Sequence, residues 1–123
     1  MRWFDQNQNQ PWATCSLTQA GLVRVISNPV IDAAAPTQAE AIALLKLSTE
    51  SNTHHQFWAD THPLTAISPS LRDRIRGHNQ VTDAYLLALT IHNDGRFVTF
   101  DRGVESLAPK GSPEHDVLLI LKP

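Results

Sequence analysis

The chain is poor in cysteine and has no long hydrophobic run. Its single cysteine, Cys15, excludes an internal disulfide bond and favours a reducing compartment. Because Cys15 lies in an apolar stretch, we expect a buried structural thiol rather than a nucleophile. No segment approaches the roughly 20 consecutive apolar residues of a membrane span, and the first six residues lack the hydrophobic region of a signal peptide. These absences predict a cytoplasmic protein that does not enter a membrane.

A strong charge of either sign is also missing. The formal net charge is −2, so the field of the whole molecule does not attract nucleic acid, and any such contact needs a local patch. The basic cluster of Arg72, Arg74 and Arg76 is explained at least as well by a solvated helix face. With 123 residues, 41% hydrophobic and 18% charged, the composition predicts a single folded domain over residues 1–123.

What the sequence does contain is an alternation of strand and helix signals. Thr37-Gln38-Ala39-Glu40 is a capping box and predicts a helix start, while Asn93-Asp94-Gly95 predicts a turn. The expected strands cover residues 12–15, 54–58, 96–100 and 117–121, and the expected helices cover residues 17–26, 39–47, 69–76 and 81–91. Strands that alternate with helices predict the α/β class, with a mostly parallel sheet flanked by helices.

Two aspartates occupy related places in this alternation. Asp83 lies in the first turn of an expected helix, and Asp101 follows the strand that ends at Phe100. In a right-handed β-α-β unit the helix begins at the carboxyl edge of the sheet and the next strand ends there. We therefore expect both carboxylates at one rim, where open α/β sheets bind ligands.

Two carboxylates at one rim repel each other unless a cation lies nearby, and hard oxygen ligands suit Mg²⁺ or Mn²⁺. Such an ion would activate water for attack on a phosphodiester, and Thr82 and Thr99 are placed to orient that water or the carboxylates. A purely structural interpretation stays open at this point. Asp83 would then favour its helix through the helix dipole, and Asp101 with Gly103 would form a turn.

Residues 77–103, GHNQVTDAYLLALTIHNDGRFVTFDRG, resemble the C-terminal motif region of PIN-domain proteins, specifically the VapC-type toxins of bacterial toxin–antitoxin pairs. The stretches PWATCSLTQAGLVRVISNP and HHQFWAD are similar to further segments of one VapC subfamily, so the resemblance covers about residues 3–104. It implies a PIN fold with acids clustered at the carboxyl edge of a parallel sheet. It also implies an Mg²⁺- or Mn²⁺-dependent endoribonuclease that is held inactive by an antitoxin.

The resemblance assigns roles to individual residues. Asp83 matches the metal-site acid in TDAYLLA, Asp101 matches the one in VTFD, and Thr99 matches the small hydroxyl residue two positions before that acid. We take these three as the candidate catalytic residues, with Asp83 and Asp101 as the metal ligands. The candidates for contact with RNA or with a metal-bound water are Gln19, His78, Thr82, Arg24 and Arg102. Asp60 and Asp73 have no recognisable partner and are expected to be solvated.

The sequence departs from the family pattern in two places. Family members open with a strand that ends in an aspartate, of the type LLDANVLI, whereas this sequence starts at Met1-Arg2-Trp3-Phe4, where the first helix should already be ending. Asp5 is in the wrong place to replace that acid. Many PIN domains also carry a glutamate in the helix after the second strand, and here Gln19 can bind a water ligand but brings no charge.

These departures predict an N-terminally truncated PIN-like domain that lacks the first strand and most of the first helix. An exposed hydrophobic strip would follow and would favour a homodimer. Because two of the family's usual four acids are missing, we expect weak or undetectable cleavage from this chain. An inactive PIN remnant, which only binds an antitoxin or itself, is the alternative.

Overall fold

Short parallel strands organise the chain. The computed structural model describes residues 6–7 and 9–122, so the predictions made for Met1–Phe4 and Asp5 lie outside the described residues. The strands are β1 (Trp12–Thr14), β2 (His55–Phe57), β3 (Phe97–Thr99) and β4 (Leu118–Ile120). The α-helices are α1 (Ser16–Ile26), α2 (Gln38–Glu50), α3 (Pro69–Arg74), α4 (Val81–His92) and α5 (Pro113–Val117).

The pairing of the strands confirms the α/β class. Strand β1 pairs in parallel with β2, and β3 pairs in parallel with β4. The chain divides into two compact units, Met1–Ala59 with the first pair and Asp60–Pro123 with the second. Over the residues that the structure describes, no helix is long and apolar enough to cross a membrane.

The first unit is built by local signals that the sequence shows directly. Helix α2 begins at the predicted capping box, where the Glu40 N–H donates to Thr37 Oγ1 (3.1 Å) and the Thr37 N–H donates to Glu40 Oε1 (3.2 Å). Cys15 is buried, as predicted, and is the N-cap residue of α1. Helix α1 buries no side chain fully, and α2 buries that of Ala41, so both helices leave much apolar surface exposed.

The core of the second unit forms around α4. This helix is apolar on nearly all sides, which is typical of a buried helix. Its Ala84, Leu87 and Ala88 pack with buried side chains from α3 and from the 3₁₀-helix Arg102–Leu107. Leu87 has no exposed surface. The start of α4 is therefore continuous with the buried core of the unit.

The turn after α4 directs the chain into β3. Helix α4 ends at His92, and Asp94 has a φ of 54°, a left-handed conformation that aspartate tolerates better than most residues. Strand β3 then pairs in register with β4, Phe97 with Leu118 and Thr99 with Ile120. Asp101 follows the carboxyl end of β3.

Asp60 is exposed, as expected, but it has a partner that the sequence did not reveal. The Tyr85 hydroxyl donates to Asp60 Oδ1, and the Tyr85 oxygen lies 2.7 Å from the His62 carbonyl oxygen. The His62 ring also stacks on that of His92 with centroids 5.1 Å apart. Residues 60–62 are thereby held along α4. Asp73 is exposed, as expected, and forms a 3.4 Å ion pair with Arg72.

Candidate active site

Asp101 is held in place by its own backbone neighbours. Its N–H donates to Thr99 Oγ1 (3.0 Å), and its Oδ1 accepts the Gly103 N–H (2.8 Å). Asp101 is therefore the N-cap residue of the 3₁₀-helix Arg102–Leu107. A β-carbon at position 103 would lie 3.0 Å from Asp101 Oδ1, so glycine lets the carboxylate lie against the backbone.

Asp83 lies in the first turn of α4 and is half-buried. Its pKa is raised above the usual value, first because burial disfavours the charged carboxylate and second because of the negative charge on Asp101. The structure thus brings Asp83 and Asp101, which are 18 positions apart in the sequence, close enough for their charges to interact.

This pair could hold a hard cation. Two carboxylates that repel each other are stabilised by a positive ion between or beside them, and carboxylate oxygens suit Mg²⁺ and Mn²⁺. Over residues 6–7 and 9–122, no group of three or more His, Cys, Asp and Glu side chains is placed to bind a metal ion. The protein ligands would therefore be the two aspartates, which is a usual number for Mg²⁺.

Further candidate residues lie on the elements that carry the two aspartates. Thr82 is exposed beside Asp83, and His78 is exposed in the 3₁₀-helix His78–Gln80 that leads into α4. Arg102 is exposed and pairs with Glu105 at 3.3 Å. Their contacts with RNA stay predictions.

Gln19 and Arg24 lie in the first unit. Gln19 Nε2 donates to Thr14 Oγ1 (3.0 Å), which lies 2.7 Å from His55 Nε2. The amide nitrogen of Gln19 is therefore engaged within its own unit. Arg24 is exposed in the last turn of α1. The roles expected for both residues stay predictions.

Gln80 is a residue of this region that the sequence did not indicate. Its side chain connects the segment before α4 with the 3₁₀-helix that follows Asp101, through Gly103 and Ser106. These two partners lie 23 and 26 residues further along the chain. No short motif marks a hydrogen bond of that sequence separation.

Comparison with known proteins shows the family. The chain is 42% identical to Ribonuclease VapC39 of Mycobacterium tuberculosis over 113 residues, which are 92% of this chain and 81% of that relative. The chain belongs to the VapC ribonuclease family. Ribonuclease VapC44 of the same organism is 41% identical over 110 residues, 89% of the chain and 76% of the relative. Ribonuclease VapC38 of the same organism is 42% identical over 106 residues, which are 86% of the chain and 72% of the relative. No family model matches the chain.

Membership of the VapC family confirms the resemblance read from residues 77–103. Together with the parallel strand pairs, it confirms the expected PIN-like α/β fold. It also confirms the prediction of a ribonuclease at the level of family resemblance.

Proposed function

We propose that this chain is the endoribonuclease toxin of a toxin–antitoxin pair, and that it cleaves RNA with an Mg²⁺ or Mn²⁺ ion bound by Asp83 and Asp101. The observation that carries this proposal is the 41–42% identity to relatives named ribonucleases. The contribution of the Asp101 charge to the raised pKa of Asp83 supports the pairing of the two carboxylates. In this proposal residues 1–123 act as one PIN-like domain.

The hydrogen bonds around Asp101 support its assignment as a ligand. Oδ1 accepts the Gly103 N–H, which orients the carboxylate that would hold the cation. Thr99 accepts the Asp101 N–H and thereby restricts the backbone that carries the carboxylate. When bound, the ion would supply a positive charge beside the scissile phosphate and an activated water molecule.

RNA would bind to the surface formed by the exposed side chains near the two aspartates. Arg102 is a suitable phosphate contact because its ion pair with Glu105 is exposed, and exposed ion pairs contribute little stability. Exchanging Glu105 for a phosphate oxygen would therefore cost little. We assign His78 and Thr82 to the same surface.

The test is metal-dependent cleavage by the purified chain. We expect weak cleavage of RNA in Mn²⁺, because only two carboxylates, Asp83 and Asp101, are assigned to the ion. Chelation with EDTA should stop cleavage, and adding Mn²⁺ back should restore it. Cleavage that continues in EDTA would contradict the proposed chemistry, while metal binding without any cleavage would favour the second candidate.

The second candidate is a non-catalytic module that binds an antitoxin or another copy of itself. It is favoured by the neutral Gln19 and by exposed apolar side chains of the first unit. These side chains include Leu22, Val25, Val30, Ile31, Ile42 and Leu47. Exposed apolar surface is typical of interaction sites, and we propose that an antitoxin or a homodimer partner covers these side chains. The buried Cys15 is consistent with the cytoplasm as the proposed location.

The homodimer can be tested without a substrate. We expect the sedimentation coefficient of the purified chain to increase with protein concentration, because association removes apolar surface from water. Replacing the exposed Ile31 with aspartate should shift the equilibrium towards monomer. The control Ser48→Asp introduces the same charge at an exposed polar position of α2 and should leave the equilibrium unchanged. A chain that stays monomeric at every concentration would contradict self-association and leave the antitoxin as the proposed partner.

A further inference from the structure

The Gln80 side chain connects the two segments that carry the aspartates, the start of α4 with Asp83 and the turn with Asp101. Gln80 is the last residue of the 3₁₀-helix His78–Gln80, directly before α4, and its side chain is half-buried. We propose that Gln80 is a positioning residue that holds the turn carrying Asp101 against the start of the helix carrying Asp83. This inference rests on the proposed metal site, which it deepens by naming what sets the geometry of the two ligands.

Both the oxygen and the nitrogen of the Gln80 side-chain amide form hydrogen bonds. Its Oε1 accepts the Arg76 N–H (2.9 Å), and its Nε2 donates to Ser106 Oγ (2.9 Å) and to the Gly103 carbonyl oxygen (3.3 Å). A glutamine side chain has one acceptor atom and two N–H donors at its end, so it can serve all three partners. A glutamate side chain lacks the N–H donors, and an alanine side chain lacks the donors and the acceptor.

Gly103 connects Gln80 to the Asp101 carboxylate. Its carbonyl oxygen accepts from Gln80, and its N–H donates to Asp101 Oδ1 (2.8 Å). Ser106 Oγ, the other acceptor of Gln80, also donates to the Gly103 carbonyl (3.2 Å). A shift of Gly103 would therefore move the carboxylate of Asp101.

The other end of this connection is continuous with the buried core. Gln80 directly precedes α4, whose Ala84 and Leu87 have no exposed surface, and Asp83 lies in the first turn of that helix. Residues 101–103 are exposed, and the 3₁₀-helix reaches the core only through Val104 and Leu107. The Gln80 amide thus restrains the exposed beginning of that 3₁₀-helix, which is the part that carries a ligand.

The test uses two readouts on Gln80→Ala in the full chain. The first is amide hydrogen exchange in the absence of metal, which measures how firmly the turn at residues 101–103 is held. We expect the Gly103 N–H to exchange roughly five to ten times faster than in the wild type, since about one net hydrogen bond is lost. The Leu87 N–H in the core should keep its wild-type rate. The dissociation constant for Mn²⁺, measured from the free Mn²⁺ signal in electron paramagnetic resonance, should rise by a similar factor of roughly five to ten.

Two further variants separate positioning from general effects. Gln80→Glu keeps an acceptor for Arg76 but cannot donate, so the Gly103 N–H should exchange as fast as in Gln80→Ala. Gln56→Ala removes an exposed glutamine of β2 in the other unit and should leave both readouts unchanged.

The possible outcomes distinguish a failure of the positioning role of Gln80 from a failure of the proposed metal function. Wild-type exchange at Gly103 in Gln80→Ala would overturn the positioning role, as would an equal acceleration at Leu87. If the wild-type chain binds no Mn²⁺ while Gly103 responds as expected, the metal function fails and the positioning of Asp101 by Gln80 stands. If Gly103 does not respond but Asp101→Asn still abolishes Mn²⁺ binding, the metal function stands and the positioning role fails.

Discussion

Replacing Asp101 with asparagine should weaken Mn²⁺ binding by roughly a hundredfold or more, and RNA cleavage should fall with it. The variant removes one of the two negative charges assigned to the ion, and a charge pair a few ångströms apart near a protein surface is worth several kcal/mol. The introduced asparagine can still accept the Gly103 N–H through its amide oxygen, so the N-cap is kept. Mn²⁺ titration and RNA cleavage at neutral pH measure both effects.

The same variant should change how stability depends on pH when no metal is present. The pKa of Asp83 should fall part of the way towards its usual value, because the Asp101 charge is lost while burial, the larger cause, remains. A raised carboxyl pKa lowers the stability of the folded state above that pKa, and this cost disappears as pH falls below the unfolded value of 3.8. In chelator, Asp101→Asn should therefore be more stable than wild type at neutral pH, and the difference should vanish on acidification.

Asp94→Asn is the matched control for this prediction. Asp94 is an exposed aspartate of the same unit, in the turn after α4, and asparagine adopts its positive φ equally well. We expect wild-type Mn²⁺ affinity and a wild-type pH profile. Unchanged Mn²⁺ affinity in Asp101→Asn would remove Asp101 from the site, and an equal loss in Asp94→Asn would show a non-specific charge effect.

Replacing Arg74 with methionine should destabilise the fold by about 3 kcal/mol. Arg74 Nη1 lies 3.4 Å from Glu114 Oε1 and donates to the Leu107 carbonyl oxygen (3.2 Å). The Glu114 side chain is only 4% exposed, and its Oε2 has no hydrogen-bond partner in the described part of the chain. Without Arg74 the buried carboxylate loses its counter-charge, which costs far more than losing a surface ion pair. Urea unfolding measures this change in free energy.

Two comparisons make this second prediction specific. In Arg74→Met/Glu114→Gln the buried charge is absent, so much of the lost stability should return. Arg72→Met on the same helix removes an exposed pair with Asp73, whose side chains are 65% and 72% exposed, and should cost about 0.5 kcal/mol or less. A cost for Arg74→Met no larger than that for Arg72→Met would show that the buried pair contributes little.

Four of the five α-helices described in Overall fold were predictable because their signals are local, whereas α5 (Pro113–Val117) was not predicted. The Thr37 capping box joins residues three positions apart, and the apolar run of α4 predicts a buried helix wherever the helix packs. The strand and helix order was predictable for the same reason, although the strands extend over only three residues each. Hydrogen-bond registers depend on neighbouring strands, so the exact ends of the strands could not be read from composition.

The candidate site was predictable in outline only. The β-α-β order predicted that Asp83 and Asp101 would meet, and the two carboxylates lie close enough for the Asp101 charge to raise the pKa of Asp83. The supports of the site could not be predicted, because Gln80 reaches partners 23 and 26 residues away. The partner of Asp60 was missed for the same reason, since Tyr85 lies 25 residues further along the chain.

The sequence by itself determined which chemical groups this protein has available. It places two carboxylates at a helix start and a strand end, a glycine after the second carboxylate, and an uncharged Gln19. Only the tertiary structure decided that the Gln80 amide donates to the Gly103 carbonyl oxygen and that Glu114 is buried with Arg74. These two contacts join residues far apart in the chain, and they exist because packing within the second unit brings their backbones together.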